Sequence, residues 1–487
     1  MVTCVPTHSA STVHASGLLA GLCAGLFCLA LNACDAPKPA LPEQVEPAKQ
    51  AEQAEPKAAA TKPDAQPDSK QTCRDYRDLD TSKLPPLPET PHTQTLELVW
   101  NTVLTKHFDP TIACLDWPAI RVEYGTKLVD AHTPAQAYKL MNEMLGKLGQ
   151  SHFWVSRHDA QGPAPKGPAS APLHVRWIED TATVVNNAVD GYTSGVPMGA
   201  EIRSIDGVAI TTMVASAAAR AKGPTTFAHA LDRELQMALR GPKGQTTKVV
   251  YRAHGSDADT TADVTCQLPK VERLSVGNLT DLPTRIESKM LPGGKKIGYL
   301  AFNFWMLPMV ADVEKRLADL RAAGAQALLI DLRGNPGGVG AMSVPIARMM
   351  LPEGGSLGTL KFRDFEQTFN VAKNPAAFAG PIALVVDEGT ASTSEIFAAG
   401  MRDLGRVKIV GGGPSAGAAL PSLIQQLDGG AMLQYVVGDY HSSKGAVAEG
   451  DGVAPDIRIQ ETREAFAKGS DPVLEGAVRH LEEAIEK

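Results

Sequence analysis

Ser392 stands in Thr390-Ala391-Ser392-Thr393-Ser394-Glu395, just after the apolar run Ile382-Ala383-Leu384-Val385-Val386-Asp387 and at the head of a segment that reads as helix to about Leu404. A serine at such a junction has the first helix amides and the positive end of the helix dipole beside it, which suits a nucleophile that must hold a developing oxyanion. The same place suits an N-cap, with Ser392 or Ser394 satisfying the first amides and Glu395 as a first-turn acid. Local sequence leaves both open. A second loop, Arg333-Gly334-Asn335-Pro336-Gly337-Gly338, follows another apolar run, Ala327 to Leu332. Glycines there let backbone amides approach a reacting group. Ser151-His152 and Glu449 are further candidates, although a lone histidine after a helix is ordinarily a hydrogen-bonded structural residue. No CxxC and no Cys or His pair at zinc-ligand spacing occurs, so neither a structural metal nor a cofactor is indicated.

The elements that must carry these residues are legible as three patterns. Thr93 to Leu148 has helical periodicity (Leu96, Val99, Val103; Tyr138, Met141, Leu145), with Thr133-Pro134 as N-cap and first helical residue. It ends at Gly149-Gln150-Ser151-His152, where Phe153-Trp154-Val155 turns to strand. From about Pro172 to Leu268 short alternating strands are expected, at Leu173–Trp177, Thr183–Val185 and Lys248–Tyr251. Beyond that, Ile297–Phe302, Ala327–Leu332, Ile382–Asp387 and Val407–Gly411 read as strands, and Val310–Ala322, Ala341–Met350 and Ser392–Leu404 as helices. That succession predicts a mostly parallel sheet with its site at the strands' C-terminal ends.

Composition sets outer limits. With 487 residues, 43% apolar and 21% charged, the chain has room for about three folded units and is not mainly disordered or polytopic. With 47 basic against 54 acidic residues, net charge −7, it offers no field for phosphate backbones, so no nucleic-acid partner is expected. Gly17 to Leu31 sits where a signal peptide's apolar region belongs. Leu31-Asn32-Ala33-Cys34 resembles a bacterial lipobox, with Cys34 taking the lipid; plain secretion and a retained anchor are the alternatives. Asp35 to about Gln71, nearly all Ala, Pro, Glu, Gln, Lys and Asp, reads as a tether that cannot offset its ordering entropy. In an oxidising compartment Cys73 and Cys114 could pair, leaving Cys266 free.

Ser194-Gly195-Val196-Pro197-Met198-Gly199-Ala200-Glu201-Ile202-Arg203-Ser204-Ile205-Asp206-Gly207-Val208 resembles the signature of a PDZ domain, although Ala200 stands where that family more often has Asp. The carboxylate-binding loop near Ala171 to Val175 is not obviously Gly-rich, so peptide capture does not follow automatically and a structural lid or hinge is the alternative expectation. Asp331-Leu332-Arg333-Gly334-Asn335-Pro336-Gly337-Gly338, Thr390-Ala391-Ser392-Thr393-Ser394-Glu395-Ile396 and Glu449-Gly450-Asp451-Gly452-Val453-Ala454-Pro455-Asp456-Ile457, in that order, resemble the S41 peptidases, the C-terminal processing and tricorn-type serine proteases. The resemblance covers the chain from about residue 93 to its end and implies an α/β multidomain protein; after the signal peptide 1–33 and tether 34–75 read from composition, the expected units are a helical subdomain 76–165, a PDZ-like β-rich domain 170–270 and a crotonase/ClpP-like α/β catalytic core 271–487.

The C-terminal processing branch carries a lysine base in a Gly-Lys-Gly segment, but here Gly411 to Ala419 contains no lysine. Only Lys408 and Lys444 lie nearby. The tricorn-like branch uses a serine, a histidine, the nucleophilic serine and a glutamate, and that resemblance implies a tetrad of Ser151, His152, Ser392 and Glu449. The chemistry is self-consistent: a neutral imidazole takes the hydroxyl proton, an acceptor fixes its tautomer, and a carboxylate steadies the imidazolium. Gly337 or Gly338, with the amide of Thr393, are the candidate oxyanion hole. The expected function is an envelope endopeptidase acting on unfolded or tail-presenting polypeptides, tied to a membrane by its lipid. The competing expectations are an inactive binding protein on the same fold and, more remotely, a crotonase-type acyl-CoA enzyme.

Overall fold

The computed structural model describes residues 73–156, 167–276, 279–445 and 448–486. All of them belong to one unit that runs from Gln71 to Lys487. The expected signal segment, Cys34 and most of the tether lie outside the described residues.

The first layer is helical: α1 (Thr93–Lys106), α2 (Trp117–Lys127) and α3 (Pro134–Gly146). Asp116 caps α2 by accepting from the Ala119 N–H, and Thr133 with Gln136 forms a reciprocal capping box on α3, so both starts follow from local sequence. The helices bury Leu96, Val99, Trp100, Trp117, Met141 and Leu145 in a core that Val155, Leu427, Leu433 and Tyr435 complete. The last three come from the hairpin Ser422–Gln426/Met432–Val436. Trp154–Ser156 pairs antiparallel with its second strand, Val155 opposite Leu433, so the turn bearing Ser151 and His152 is held between α3 and a strand from the far end of the chain. Cys73 and Cys114 form a disulfide across this unit, and Cys266 is a buried free cysteine.

The second layer is β-rich. Strands Asp259–Thr265, Thr246–Arg252, Glu201–Ile205, Thr181–Asn186 and His174–Ile178 lie in that order, antiparallel, with α4 (Ile210–Arg220) and α5 (Pro224–Ala238). Two helices lie where the sequence reading placed only strands. Their inner faces, Ile210, Met213 and Ala217 on α4 and Leu231, Leu235 and Ala238 on α5, close the core over Val175, Val184, Ile202 and Val249.

The third layer is a six-stranded sheet in the order Ile286–Met290, Ile297–Phe302, Ala327–Asp331, Ile382–Val385, Lys408–Gly411, Ile457–Arg458. Only the first pair is antiparallel. Its middle strands are apolar on both faces, as parallel strands under helices must be. Leu328, Ile330, Ile382 and Leu384 face the side covered by α6 (Leu307–Ala322), α7 (Ser343–Arg348) and α8 (Thr393–Asp403). Ala327, Leu329, Ala383 and Val385 face Val473, Ala477 and Leu481. Those three belong to α10 (Pro472–Ile485), which follows the short α9 (Arg463–Ala467). The loops after Asp331 and Val385 leave the same, C-terminal edge of the sheet.

Candidate active site

Ser392 is the residue immediately before α8, with φ 56° and ψ −120°. This is a sharp, left-handed turn between strand and helix, a conformation non-glycine residues adopt only when the surroundings fix it. Ser392 is the N-cap residue of α8, its N–H held by the Glu395 carboxylate as in a capping box, and its side chain is half-buried at the turn. The turn is held from three sides: the Ser392 N–H donates to the Ala418 carbonyl at 2.8 Å and to Glu395 Oε2 at 3.1 Å, and the Ala391 N–H donates to the Asn335 carbonyl at 3.0 Å.

Asn335 ties that turn to the glycine loop. Its Nδ2 donates to the Phe302 carbonyl at 2.7 Å, its Oδ1 accepts from the Gly337 N–H at 3.0 Å, and its carbonyl accepts from Ser394 Oγ at 3.1 Å. The indole N–H of Trp305 donates to that same Ser394 hydroxyl at 2.8 Å. Gly337 is required by contact: a Cβ there would lie 2.6 Å from Ser392 Cβ and 2.9 Å from the Thr393 nitrogen, at a φ of +97°. Among the described residues, the N–H groups of Gly338 and Thr393 meet no acceptor, whereas that of Gly337 is engaged.

Ser151, His152 and Glu449 meet although 298 residues separate the first and last. Ser151 Oγ is 2.7 Å from His152 Nδ1 and donates to Glu449 Oε2 at 2.9 Å, while the Ser151 N–H donates to Glu449 Oε1 at 2.7 Å. The Ala419 N–H adds a third donor to Oε2 at 3.0 Å. A carboxylate receiving three donors holds no proton of its own, so the single Ser151 proton goes to Glu449. The 2.7 Å contact is then a His152 Nδ1–H donating to Ser151, which leaves Nε2 unprotonated. Burial, helped by Arg233 and His229, pushes the His152 pKa down to about 4, so the ring is neutral at physiological pH. Burial also raises Glu449, although its hydrogen bonds oppose this.

The turn carrying the pair is braced on both flanks. Gln150 Oε1 is 2.8 Å from His107 Nε2, and Asn142 of α3 clasps Val155 in both directions, accepting its N–H at 2.7 Å and donating to its carbonyl at 2.8 Å. His152 itself has φ +60°. From the β-rich layer, Arg176 forms an ion pair with Glu388 at 2.7 Å and with Glu461 at 2.6 Å. His229 Nδ1 lies 2.8 Å from the Glu388 carbonyl. Burial works to raise Glu388, yet Arg176 holds it below the ordinary range; its neighbour Asp387 is pushed up by burial and by the Glu388 charge. Glu388 is four residues before Ser392, so α5 and the strand bearing Arg176 are pinned to the loop that leads to Ser392.

Lys408 and Lys444 are both exposed, and the Lys444 backbone N–H donates to Asp403 Oδ2. Sequence reasoning had assigned no role to Asn142, Gln150, His107, Trp305 or Arg176. None of them has a local signature, since each acts on a partner remote in sequence. Glu395 is different: its place three residues after Ser392 is the carboxylate half of a capping box, which the sequence displays.

Residues 296–459 match peptidase family S41. The chain carries a peptidase family S41 domain. Carboxyl-terminal processing proteases of that family are serine peptidases, and this protein is a hydrolase of that type. The carboxyl-terminal-processing protease of Synechocystis sp. is 24% identical over 384 residues, 77% of this chain and 82% of that protein. The protein of the same name from Picosynechococcus sp. is 25% identical over 346 residues, 68% of this chain and 75% of that one. Among solved structures, the photosystem II D1 C-terminal processing protease is similar with a TM-score of 0.52 and 22% identity, covering 81% of this chain and 98% of that one. Mature CPAF is similar with a TM-score of 0.56 and 15% identity, covering 81% and 96%. These likenesses support the mixed α/β multidomain fold. No helix among the described residues is long and apolar enough to cross a membrane.

Proposed function

We propose that this S41 peptidase is an endopeptidase that uses Ser392 as nucleophile and His152 as base, with Ser151 and Glu449 orienting the base. The observation that carries the reading is the relay from Glu449 through Ser151 to His152 Nδ1. It leaves Nε2 as the free basic nitrogen, in a chain with no lysine in the segment 411–419. Nε2 takes the Ser392 hydroxyl proton as Oγ bonds to the scissile carbonyl carbon. The carbonyl oxygen becomes an oxyanion, received by the N–H groups of Gly338 and Thr393. Of the two candidate glycines, Gly338 is the donor, because Asn335 already holds the Gly337 N–H. Collapse breaks the C–N bond, and the amine departs with the proton from His152. A water then loses a proton to Nε2 and attacks the acyl carbon; the ester C–O bond breaks, Ser392 Oγ takes the proton back from His152, and the acid is released.

The substrates in this reading are unfolded or tail-presenting polypeptides, and the β-rich layer of residues 170–270 is a PDZ-like unit. Export of the chain to a bacterial envelope, with Cys34 as lipid anchor, belongs to the same proposal; the Cys73–Cys114 disulfide supports an oxidising compartment. The test is cleavage of an unfolded protein such as carboxymethylated casein by the full chain. Ser392→Ala and His152→Ala should each abolish turnover, while Lys408→Ala and Lys444→Ala keep it. Activity in His152→Ala with loss in either lysine variant would overturn the tetrad, and no cleavage by folded wild type would favour a binding protein.

A further inference from the structure

Glu395 is fully buried in the first turn of α8, one turn after Ser392. Four donors converge on its carboxylate: Ser415 Oγ at 2.6 Å and the Gly417 N–H at 2.9 Å on Oε1, the Ala418 N–H at 2.9 Å and the Ser392 N–H at 3.1 Å on Oε2. Ser415 is fixed in turn, because its hydroxyl accepts the Val453 N–H at 2.7 Å. The segment held this way, 415–419, is the one whose Ala418 carbonyl accepts the Ser392 N–H and whose Ala419 N–H donates to Glu449. One buried carboxylate thus stands between the nucleophile turn and the acid that orients the base.

Resting on the reading of Ser392 as nucleophile, we propose that Glu395 is a positioning residue whose ionised carboxylate locks the Ser392 turn to the 415–419 segment and sets the register between Ser392 and Glu449. The geometry asks for the ionised form: four donors and no acceptor face it, so a proton on either oxygen would confront a donor. The bonding groups are all neutral. On the elements around it, α8 carries Arg402 and Asp403 at its far end, 412–419 carries no titratable side chain, and 448–453 carries Glu449 and Asp451. Of these, Glu449 is the one joined to Glu395 through the shared segment. Burial pushes the Glu395 pKa up to about 7, against the pull of its hydrogen bonds.

The sign is opposite for activity and stability. Below about pH 7 Glu395 takes a proton, the four-donor cradle is broken and turnover falls. Over the same range the folded chain binds a proton that the unfolded chain, with an ordinary carboxyl, does not bind until lower pH. This group's contribution to stability therefore rises as pH falls from about 7 towards its ordinary 4.5. Loss of activity on acidification is then not loss of fold.

The experiment follows kcat, KM and the rate of Ser392 labelling by a fluorophosphonate from pH 5 to 9 on the full chain. Wild type should show an acid limb near 7, and Glu395→Gln should lose that limb and lower kcat roughly a hundredfold, with KM little changed. Ser415→Ala, which removes one donor to the charged form, should move the limb to higher pH, and Ser415→Thr should restore it. Should Glu395→Gln not fold, the Ser415 pair still decides, because a limb unmoved by Ser415→Ala overturns the proposal. So does a Glu395→Gln enzyme with wild-type kcat and an intact limb. Fluorophosphonate on a residue other than Ser392, or turnover by Ser392→Ala, overturns the nucleophile assignment itself and is read separately.

Discussion

Glu449 grips Ser151 at both ends of its carboxylate, with Oε1 on the backbone N–H at 2.7 Å and Oε2 on the hydroxyl at 2.9 Å. A two-point hold fixes the rotation of the serine hydroxyl as well as its position, and with it the direction from which His152 Nδ1 is met. Glu449→Gln keeps the size but offers one acceptor where three donors converge, so its NH₂ must face an N–H or O–H. In the proposed mechanism kcat should fall by about 10²–10⁴-fold with KM nearly unchanged, since a wrongly held imidazole tautomer costs on that order. Ser151→Ala should fall within the same range, and the double variant should be no worse than the poorer single one, as expected of residues acting as one unit. Steady-state kinetics on the four enzymes decide it. Additive losses would mean that the two residues act independently.

The neutrality of His152 has its own signature. Burial first, then Arg233 and His229, bring its pKa to about 4, against 6.5 for an ordinary histidine. A group whose folded pKa is depressed in this way leaves the unfolded chain to take the proton first, so this group's contribution to stability falls as pH drops from 6.5 towards 4. Following the imidazole proton of His152 by NMR, with His152→Ala to assign it, should give a midpoint near 4. A midpoint near 6.5 would show a solvated ring. Arg233→Gln should raise the midpoint, because it removes one of the two neighbouring groups that disfavour the imidazolium.

Much of this architecture was written in periodicity. The sheet strands are legible because Leu328 and Ile330 face one helical layer while Ala327 and Leu329 face the other, giving a short run that is apolar throughout. Thr133 and Gln136 announce α3 by capping chemistry that acts over three residues. What the sequence did not display is long in range. α4 and α5 are Ala- and Thr-rich segments whose helical state is settled by packing on Val175 and Ile202. The pairing of Val155 with Leu433, which brings Ser151 and His152 to Glu449, depends on two short strands whose local composition says nothing of each other. The resemblance named Ser151, His152, Ser392 and Glu449 as a set. The structure adds that the first two and Glu449 are hydrogen-bonded, that Ser392 occupies a left-handed turn, and that Glu395 is more than a first-turn acid.

Arg176 offers a test of how the β-rich layer is coupled to the loop that ends at Ser392. Its guanidinium is buried between Glu388 and Glu461. Arg176→Met would leave two carboxylates in a low-dielectric site, a change that typically costs about 3–5 kcal/mol. The urea midpoint should therefore drop, and kcat should drop with it, because Glu388 lies in the loop that ends at Ser392. Adding Glu388→Gln and Glu461→Gln removes the stranded charges and should recover much of the stability. Recovery of stability without recovery of kcat would show that the ion pairs, and not merely the packing, position the loop. An unchanged midpoint in Arg176→Met would mean that the site is solvated and the clamp is not one.

The disulfide makes a separate prediction about the helical unit. Cys73 and Cys114 close a loop of 41 residues that spans α1, whose C-terminal turn leads to His107 and so to Gln150. Cross-linking a loop of that length restricts the unfolded chain by about 4 kcal/mol in the chain-entropy account. Reduction, or Cys73→Ser, should lower the unfolding midpoint and, by loosening the frame behind Ser151 and His152, lower kcat before the rest of the molecule unfolds. Thiol alkylation read by mass spectrometry gives the complementary result: of Cys73, Cys114 and Cys266, none should react in the folded oxidised protein and only Cys266 after unfolding without reductant. Cys266 is buried against the Leu239 carbonyl and Thr247 and has no part in the bridge. If Cys73 and Cys114 are alkylated in protein recovered from its own compartment, the bridge is not formed there, and the argument for an oxidising location loses its structural support.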